Sequence, residues 1–311
     1  MLIARPSDEG FIIIDGFSRI VRLGEGLAQT GILGDEAMAR TIAALRVCAD
    51  KLKHHGVRRV RAVATAACRR AENSGTFIEQ VAAETGLAME PISAEDEASL
   101  TLSGCAPLMR SGHGHGLLFD IGGGSTEVTW ARTPDTGPPR ALDLISLPLG
   151  VVTLADEFGF GILTPAQFEE IVSRVDGQIA PFCAANDIQG AVARDEVQMI
   201  GTSGTVTTLG ALHLGLTSYD RARIDGLSID MTHVRTMSAR LSELDCEARR
   251  ALPCVGPGRA DLMLMGCAVL AAITRRWPVP AVRVADRGIR EGLIMGMIDA
   301  DQLGAKDTGA A

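Results

Sequence analysis

Residues 117 to 130 read LLFDIGGGSTEVTW, and the fold class follows from them. The apolar run Leu117-Leu118-Phe119 carries Asp120 to the end of a strand. Gly122, Gly123, Gly124 and Ser125 then turn the chain, and Glu127-Val128-Thr129-Trp130 resume the alternation of a second strand. Three consecutive glycines leave their amide N–H groups unshielded and permit positive φ, so the turn can close around an anion such as phosphate. Asp120 and Glu127 flank that turn. Two carboxylates beside an anion pocket repel phosphate unless a divalent cation lies between them, and Mg²⁺ takes carboxylates, waters and phosphate oxygens. The competing reading is a tight hairpin whose glycines serve backbone geometry alone and whose acids are merely solvated.

A second loop favours the phosphate reading. Met199-Ile200 runs into Gly201-Thr202-Ser203-Gly204-Thr205 and then Val206-Thr207-Thr208-Leu209-Gly210-Ala211-Leu212. That is a strand, a small-residue loop and a helix whose N-terminus favours anions. Two such loops in one chain make a clamp.

At these residues the sequence resembles the exopolyphosphatase/guanosine pentaphosphate phosphohydrolase (Ppx/GppA) family, a branch of the actin, hexokinase and Hsp70 ATPase-like fold. The resemblance rests on DIGGGSTE at 120–127, GTSGT at 201–205, RAVATAACRRAEN at 61–73, ISAEDEASL at 92–100 and ADRGIREGL at 285–293, in family order along nearly the whole chain. It implies an α/β protein of the short type, with duplicated actin-like ATPase (ribonuclease H-like) domains and an interdomain cleft. The N-terminal domain is expected at 1–115 and the C-terminal domain at 116–311, with a last helix near 286–298 crossing back towards the first. The implied reaction is Mg²⁺-dependent hydrolysis of a terminal phosphoanhydride in inorganic polyphosphate or guanosine pentaphosphate, and a homodimer is among the implied partners.

The same resemblance distributes the roles. Asp120 and Glu127 hold the Mg²⁺, and Glu127 counts among the catalytic groups. Gly122, Gly123, Gly124 and Ser125, with Gly201, Thr202, Ser203, Gly204 and Thr205, bind phosphate. Arg69 reaches the transferred charge, and Glu97 matches the glutamate that activates the attacking water. Leu147-Pro148-Leu149-Gly150 resembles an LPLG element that supports the first loop. Ser99 stands where the family usually has arginine, and Gly258 where it has the glutamate of a Pro-Glu-Arg-Ala-Asp run. Two other readings stay open: an ATP-dependent small-molecule kinase of the same fold, and a catalytically silent nucleotide or alarmone binder.

The residues alone carry part of this. Arg61 to Thr65 reads as a strand and Ala66 to Glu72 as a loop presenting Arg69 and Arg70, either to a ligand at a strand end or simply to solvent. Ser93-Ala94-Glu95-Asp96 has capping-box form, so a helix starts there and runs to about Leu102, with Glu97 an exposed acid of its first turn that contributes little to folding. Strands are expected at Met1 to Arg5, Phe11 to Ile14 and Arg19 to Leu23. Asp35 should cap a helix ending at His54-His55-Gly56, and Asp286 a helix from Arg287 to Met297. Ser111-Gly112-His113-Gly114-His115-Gly116 reads as a flexible connector between domains, and residues 301–311 as a frayed tail.

Composition narrows the partners. Aromatic residues make up 4% of the chain, too few for base-stacking platforms, and a net charge of −8 opposes a nucleic-acid or anionic-membrane surface. The 46% hydrophobic content fills two cores, and 311 residues suffice for two ordinary domains. Seven scattered cysteines with no CxxC spacing, and no secretory or membrane-spanning apolar run, point to the cytoplasm. Family members begin with a strand and an Asp-x-Gly-type phosphate loop that runs into a segment like Leu2-Ile3-Ala4-Arg5. The expectation is therefore a reading frame that begins upstream of Met1, or a chain of low stability and activity.

Overall fold

The computed structural model describes residues 1–8 and 10–308, with side chains as far as 302. In chain order the elements are β1 (Leu2–Ser7), β2 (Gly10–Gly16), α1 (Leu27–Thr30), α2 (Asp35–His54), β3 (Ala62–Ala64), α3 (Ala66–Arg70), α4 (Ser74–Thr85), β4 (Met89–Pro91) and α5 (Ala94–Cys105). They continue as β5 (His115–Ile121), β6 (Thr126–Arg132), β7 (Arg140–Leu147), α6 (Val151–Phe158), α7 (Pro165–Ala185), α8 (Ile188–Ala193), β8 (Val197–Thr202) and α9 (Gly204–His213). The chain ends with α10 (Arg221–Ile224), β9 (Ser228–Asp230), α11 (Met231–Glu243), α12 (Cys246–Ala251), α13 (Met263–Arg276), β10 (Ala281–Ala285) and α14 (Ile289–Thr308).

Two compact units result. Unit 1 takes Met1–Leu23, Gln29–Cys105 and the segment from Arg287 onward; unit 2 takes Gly24–Ala28 and Ala106–Asp286.

Unit 2 is built on a six-stranded mixed sheet of order β7-β6-β5-β8-β10-β9. β5 pairs antiparallel with β6 and parallel with β8, which places Asp120 opposite Glu127 on one side and Thr202 on the other. Leu117, Phe119 and Ile121 alternate into a core shared with Ile171, Val175 and Ile179 of α7 and Met265, Val269 and Ile273 of α13. Leu118 and its register partner Ile200 are buried outside that cluster, so both sheet faces are covered. A strand buried on both faces reads as a continuous apolar run, which is why LLF precedes the acid.

Unit 1 holds two two-stranded sheets among the described residues, β1-β2 antiparallel and β3-β4 parallel, beside α2, α4, α5 and α14. α5 and α14 cross at glycines: a Cβ on Gly104 would lie 2.1 Å from the Gly288 carbonyl oxygen, and one on Gly292 would lie 2.0 Å from that of Leu100. Only glycine permits this approach.

Several expectations are corrected. The boundary between units falls at Cys105/Ala106 rather than between 115 and 116. The histidine-glycine stretch is no loose connector, because the Thr133 N–H donates to Gly114 O (3.1 Å) and the His115 N–H to Glu196 O (3.0 Å), extending β5. The His115 ring stacks on Trp130 at 4.6 Å. Arg19 to Leu23 forms no strand, and Arg40 Nε donates to Val21 O (3.3 Å) where a sheet partner would be. Gly34, not Asp35, occupies the N-cap of α2.

The last helix starts at Ile289 and runs to Thr308, replacing most of the expected tail by helix. Just before it the Gly288 N–H donates to the Glu291 carboxylate at 2.8 Å, and Asp286 accepts from the Tyr219 hydroxyl. Glu9, in the turn expected between β1 and β2, and 309–311 of the tail lie outside the described residues.

Candidate active site

The hairpin β5–β6 is closed by the Gly122 N–H donating to Ser125 O (2.9 Å). With four residues in the turn, Asp120 and Glu127 face each other directly across the ladder. Like charges so placed are destabilising unless something cationic or a proton donor intervenes. Ser146 on β7 donates its hydroxyl to Glu127 Oε1 at 2.8 Å, and Glu127 is buried.

None of Gly122, Gly123 and Gly124 is among the positive-φ glycines of the described residues, and of these a Cβ on Gly122 would lie only 3.0 Å from Ser125 O. The turn's carbonyls face inward: Gly122 O accepts from the Val151 N–H (2.9 Å), and Gly123 O from those of Val152 (2.8 Å) and Thr153 (3.3 Å). These are the first N–H groups of α6, which a helix leaves without internal partners. A Cβ on Gly150 would lie 2.3 Å from Gly123 O, so the LPLG element needs its glycine for the turn to dock. Thr126 Oγ1 adds a bond to Leu149 O at 2.7 Å. With the carbonyls committed to α6, the N–H groups of Gly123, Gly124 and Ser125 have no acceptor among the described residues. That is the donor set an anion requires.

The second loop divides its labour. A Cβ on Gly201 would lie 2.4 Å from the Phe119 ring, and Thr205 Oγ1 lies 2.0 Å from where a Cβ on Gly266 would stand. Both positions are shaped by packing, leaving only their backbone for a ligand. Thr202 ends β8 and is buried between Asp120 and Ala285 in register. Ser203 has φ 138°, a conformation that side-chain-bearing residues rarely adopt, and caps α9 by accepting from the Val206 N–H (3.3 Å). Gly204 opens the helix.

Arg259, which follows Gly258 and has no role among the expectations above, completes this end. Its guanidinium covers Gly204, Nε lying 3.3 Å from where a Cβ would be, and Nη1 donates to Thr208 Oγ1 at 3.3 Å. A guanidinium beside the positive end of a helix dipole is a strong anion site. Glycine at 204 is what makes room for it. Tyr219 stands nearby: its hydroxyl donates to Asp286 Oδ2 (2.8 Å), and desolvation of that hydroxyl, with the adjacent Asp286 charge, pushes the phenol above its ordinary pKa. Arg221 Nη2 donates to Asp286 O (2.6 Å), so Asp286 anchors α10 to the end of β10.

In unit 1, Arg69 and Glu97 meet. Arg69 belongs to the short helix α3, not to a loop, and its Nη1 donates to Glu97 Oε2 (2.6 Å) and to Ile92 O (3.1 Å). Glu97 is 7% exposed, so the first-turn acid expected to face solvent is buried and paired. Ser93 caps the helix: its Oγ accepts from the Asp96 N–H at 3.0 Å, which settles Asp96 at the helix start and leaves Glu97 for Arg69. Asn73 occupies the N-cap of α4, but its side chain, rather than capping, exchanges two bonds with the backbone of Leu33. Ser99 is exposed on the opposite side of α5.

A model of the Ppx/GppA phosphatase family matches residues 2–301. The chain belongs to the Ppx/GppA phosphatase family. Among Ppx/GppA relatives, exopolyphosphatase 2 of Mycobacterium tuberculosis is 30% identical over 292 residues, covering 90% of this chain and 88% of that protein. Among solved structures, an Aquifex aeolicus Ppx/GppA family member is 27% identical with TM-score 0.73, covering 96% and 94% of the two chains. A Cytophaga hutchinsonii exopolyphosphatase, 22% identical with TM-score 0.85, covers 96% and 94% and shows the same fold. The α/β architecture that the motifs implied is thus the Ppx/GppA one.

Mg²⁺ is the ion this family resemblance implies. Among the described residues no cluster of three or more His, Cys, Asp or Glu side chains could hold a metal by itself. Two opposed carboxylates beside free N–H donors nevertheless suit Mg²⁺, which is typically held by one or two carboxylates together with substrate phosphates and waters.

Proposed function

We propose that the chain hydrolyses the terminal phosphoanhydride of inorganic polyphosphate, with guanosine pentaphosphate as the second substrate of the same chemistry. The observation that carries this reading is the opposed Asp120–Glu127 pair beside a turn whose N–H groups at 123 to 125 lack acceptors. An acidic pair next to an anion cradle is unfavourable for either alone and productive only when cation and phosphate arrive together.

Asp120 and Glu127 would hold Mg²⁺, which when bound neutralises charge on the terminal phosphates. The amides of the glycine turn, the N-terminus of α9 and Arg259 bind phosphate oxygens and fix the scissile anhydride. Glu97, held in one orientation by Arg69, takes a proton from a water that attacks the terminal phosphorus; the bridging P–O bond breaks, releasing phosphate and a chain one unit shorter. No side chain forms a covalent intermediate. Cytoplasmic residence and homodimer formation belong to the same proposal; the seven cysteines are all free thiols.

The test is phosphate release from long-chain polyphosphate, tripolyphosphate and guanosine pentaphosphate, each with and without Mg²⁺. Release from polyphosphate that depends on Mg²⁺ is expected. No release from any of the three would overturn the proposal.

A further inference from the structure

Arg249 on α12 is wholly buried, at 0% exposure, and its charge meets no carboxylate among the described residues. Four backbone carbonyls surround it instead. Nε donates to Ala260 O (3.0 Å), Nη1 to Leu241 O (3.1 Å) and Leu244 O, and Nη2 to Gly161 O. A buried guanidinium is a costly way to join segments, and a well-packed apolar side chain often serves stability as well or better. What an apolar residue cannot do is set four carbonyls at fixed positions around a planar fork.

Those carbonyls come from three places: the connector between α6 and α7, the end of α11, and the turn before α13. The last is also tied directly to the first, because the Gly161 N–H donates to Asp261 O at 3.1 Å. Ala260, itself at 0% exposure, lies between Arg259 and Asp261, so the backbone directly after Arg259 is held at two successive carbonyls. Arg259 is the side chain over Gly204 at the N-terminus of α9.

We propose that Arg249 is a positioning residue for phosphate binding: it fixes the backbone at 260–261 so that the Arg259 guanidinium stays over the start of α9. This rests on reading that helix end as a phosphate site. Arg249→Lys keeps the charge and loses the fork, and it should raise KM for polyphosphate about tenfold, the scale of one charge-assisted hydrogen bond, with kcat changed far less. Arg259→Ala should do the same. The double variant should be no worse than Arg259→Ala alone, whereas a merely structural Arg249 would give multiplying effects.

Arg249→Met, which fills the volume without burying a charge, is the second variant. Calorimetric binding of inorganic tripolyphosphate to the same full-length proteins reads the same coupling without turnover. Absent hydrolysis with intact coupling would therefore strike the proposed reaction and support the positioning role. Multiplying effects, a wild-type KM and tripolyphosphate affinity in a folded Arg249→Lys protein, or failure of both Arg249 variants to fold would overturn it.

Discussion

Asp120 and Glu127 are directly opposed across the β5–β6 ladder, at the mouth of a turn whose carbonyls are committed to the start of α6. If that pair holds Mg²⁺, removing one charge should weaken the metal more than the fold. Asp120→Asn is expected to shift the Mg²⁺ titration of phosphate release to higher concentration while leaving the melting temperature near that of the parent. An unchanged titration would remove the carboxylate pair from metal binding.

Glu97 and Arg69 form the other decisive pair, with side chains 9% and 22% exposed. Glu97→Gln keeps the shape and one hydrogen bond and should lower kcat by about 10²–10⁴-fold, the range for a general base. Glu97→Ala should in addition destabilise by roughly 1–3 kcal/mol, because it strips a partner from a largely buried guanidinium. Chemical denaturation separates the two effects; a Gln variant retaining more than about a tenth of parent turnover would exclude Glu97 as the base.

The docking of the turn can be probed with its N–H donors left in place. Gly150→Ala places a Cβ 2.3 Å from Gly123 O, whereas a Cβ on Gly123 meets only Val152 Cγ2 at an ordinary 3.5 Å. Gly150→Ala should therefore lower both melting temperature and phosphate affinity, and Gly123→Ala neither. Equal behaviour of the two would mean that the α6 contact does not shape the turn.

The α5–α14 crossing predicts a similar contrast. Gly292→Ala forces a Cβ to within 2.0 Å of Leu100 O and should destabilise by about 1–3 kcal/mol or more, as overpacking does. Gly296, one helical turn further along α14, is exposed and has nothing within 4 Å, so Gly296→Ala should stabilise by roughly 0.5–1 kcal/mol. Thermal melts decide between them.

Asp15 supplies a pH signature. Hydrogen bonds from Lys51 (2.6 Å) and from His55 hold its carboxyl well below the ordinary 3.8, at about 2. A depressed folded-state pKa favours folding above the unfolded value, and that contribution is lost as pH falls from about 3.8 towards 2. Asp15→Asn should therefore flatten the acid limb of the stability curve in that window, with parent and variant converging below it. Parallel curves down to pH 2 would show the pair to be without effect on folding.

Much of this was legible in the sequence because it is local. Strand, four-residue turn and strand at 117–130 settle which residues face each other, since a hairpin's register follows from its loop length. The cap that Ser93 makes to the Asp96 N–H likewise depends on neighbours three residues apart. Other features were read locally and came out differently. The glycine-rich stretch at 111–116 has hinge composition, yet backbone bonds to Thr133 and Glu196 tie it into the sheet. Glu97 has the pattern of a surface acid, yet Arg69, 28 residues earlier, reaches it.

The sequence by itself determined the family, the strand–turn–strand cradle with its opposed acids, and the strand–loop–helix that presents α9. Those depend on backbone preferences that act over a few residues. Only the tertiary structure decided which distant groups complete them. Arg259 reaches Thr208 across 51 residues, and Arg249 gathers Gly161 from 88 residues away. Such meetings are set by how β8, α9, α12 and α13 pack around one core, where the shape left by a missing side chain at Gly204 decides where a guanidinium can lie.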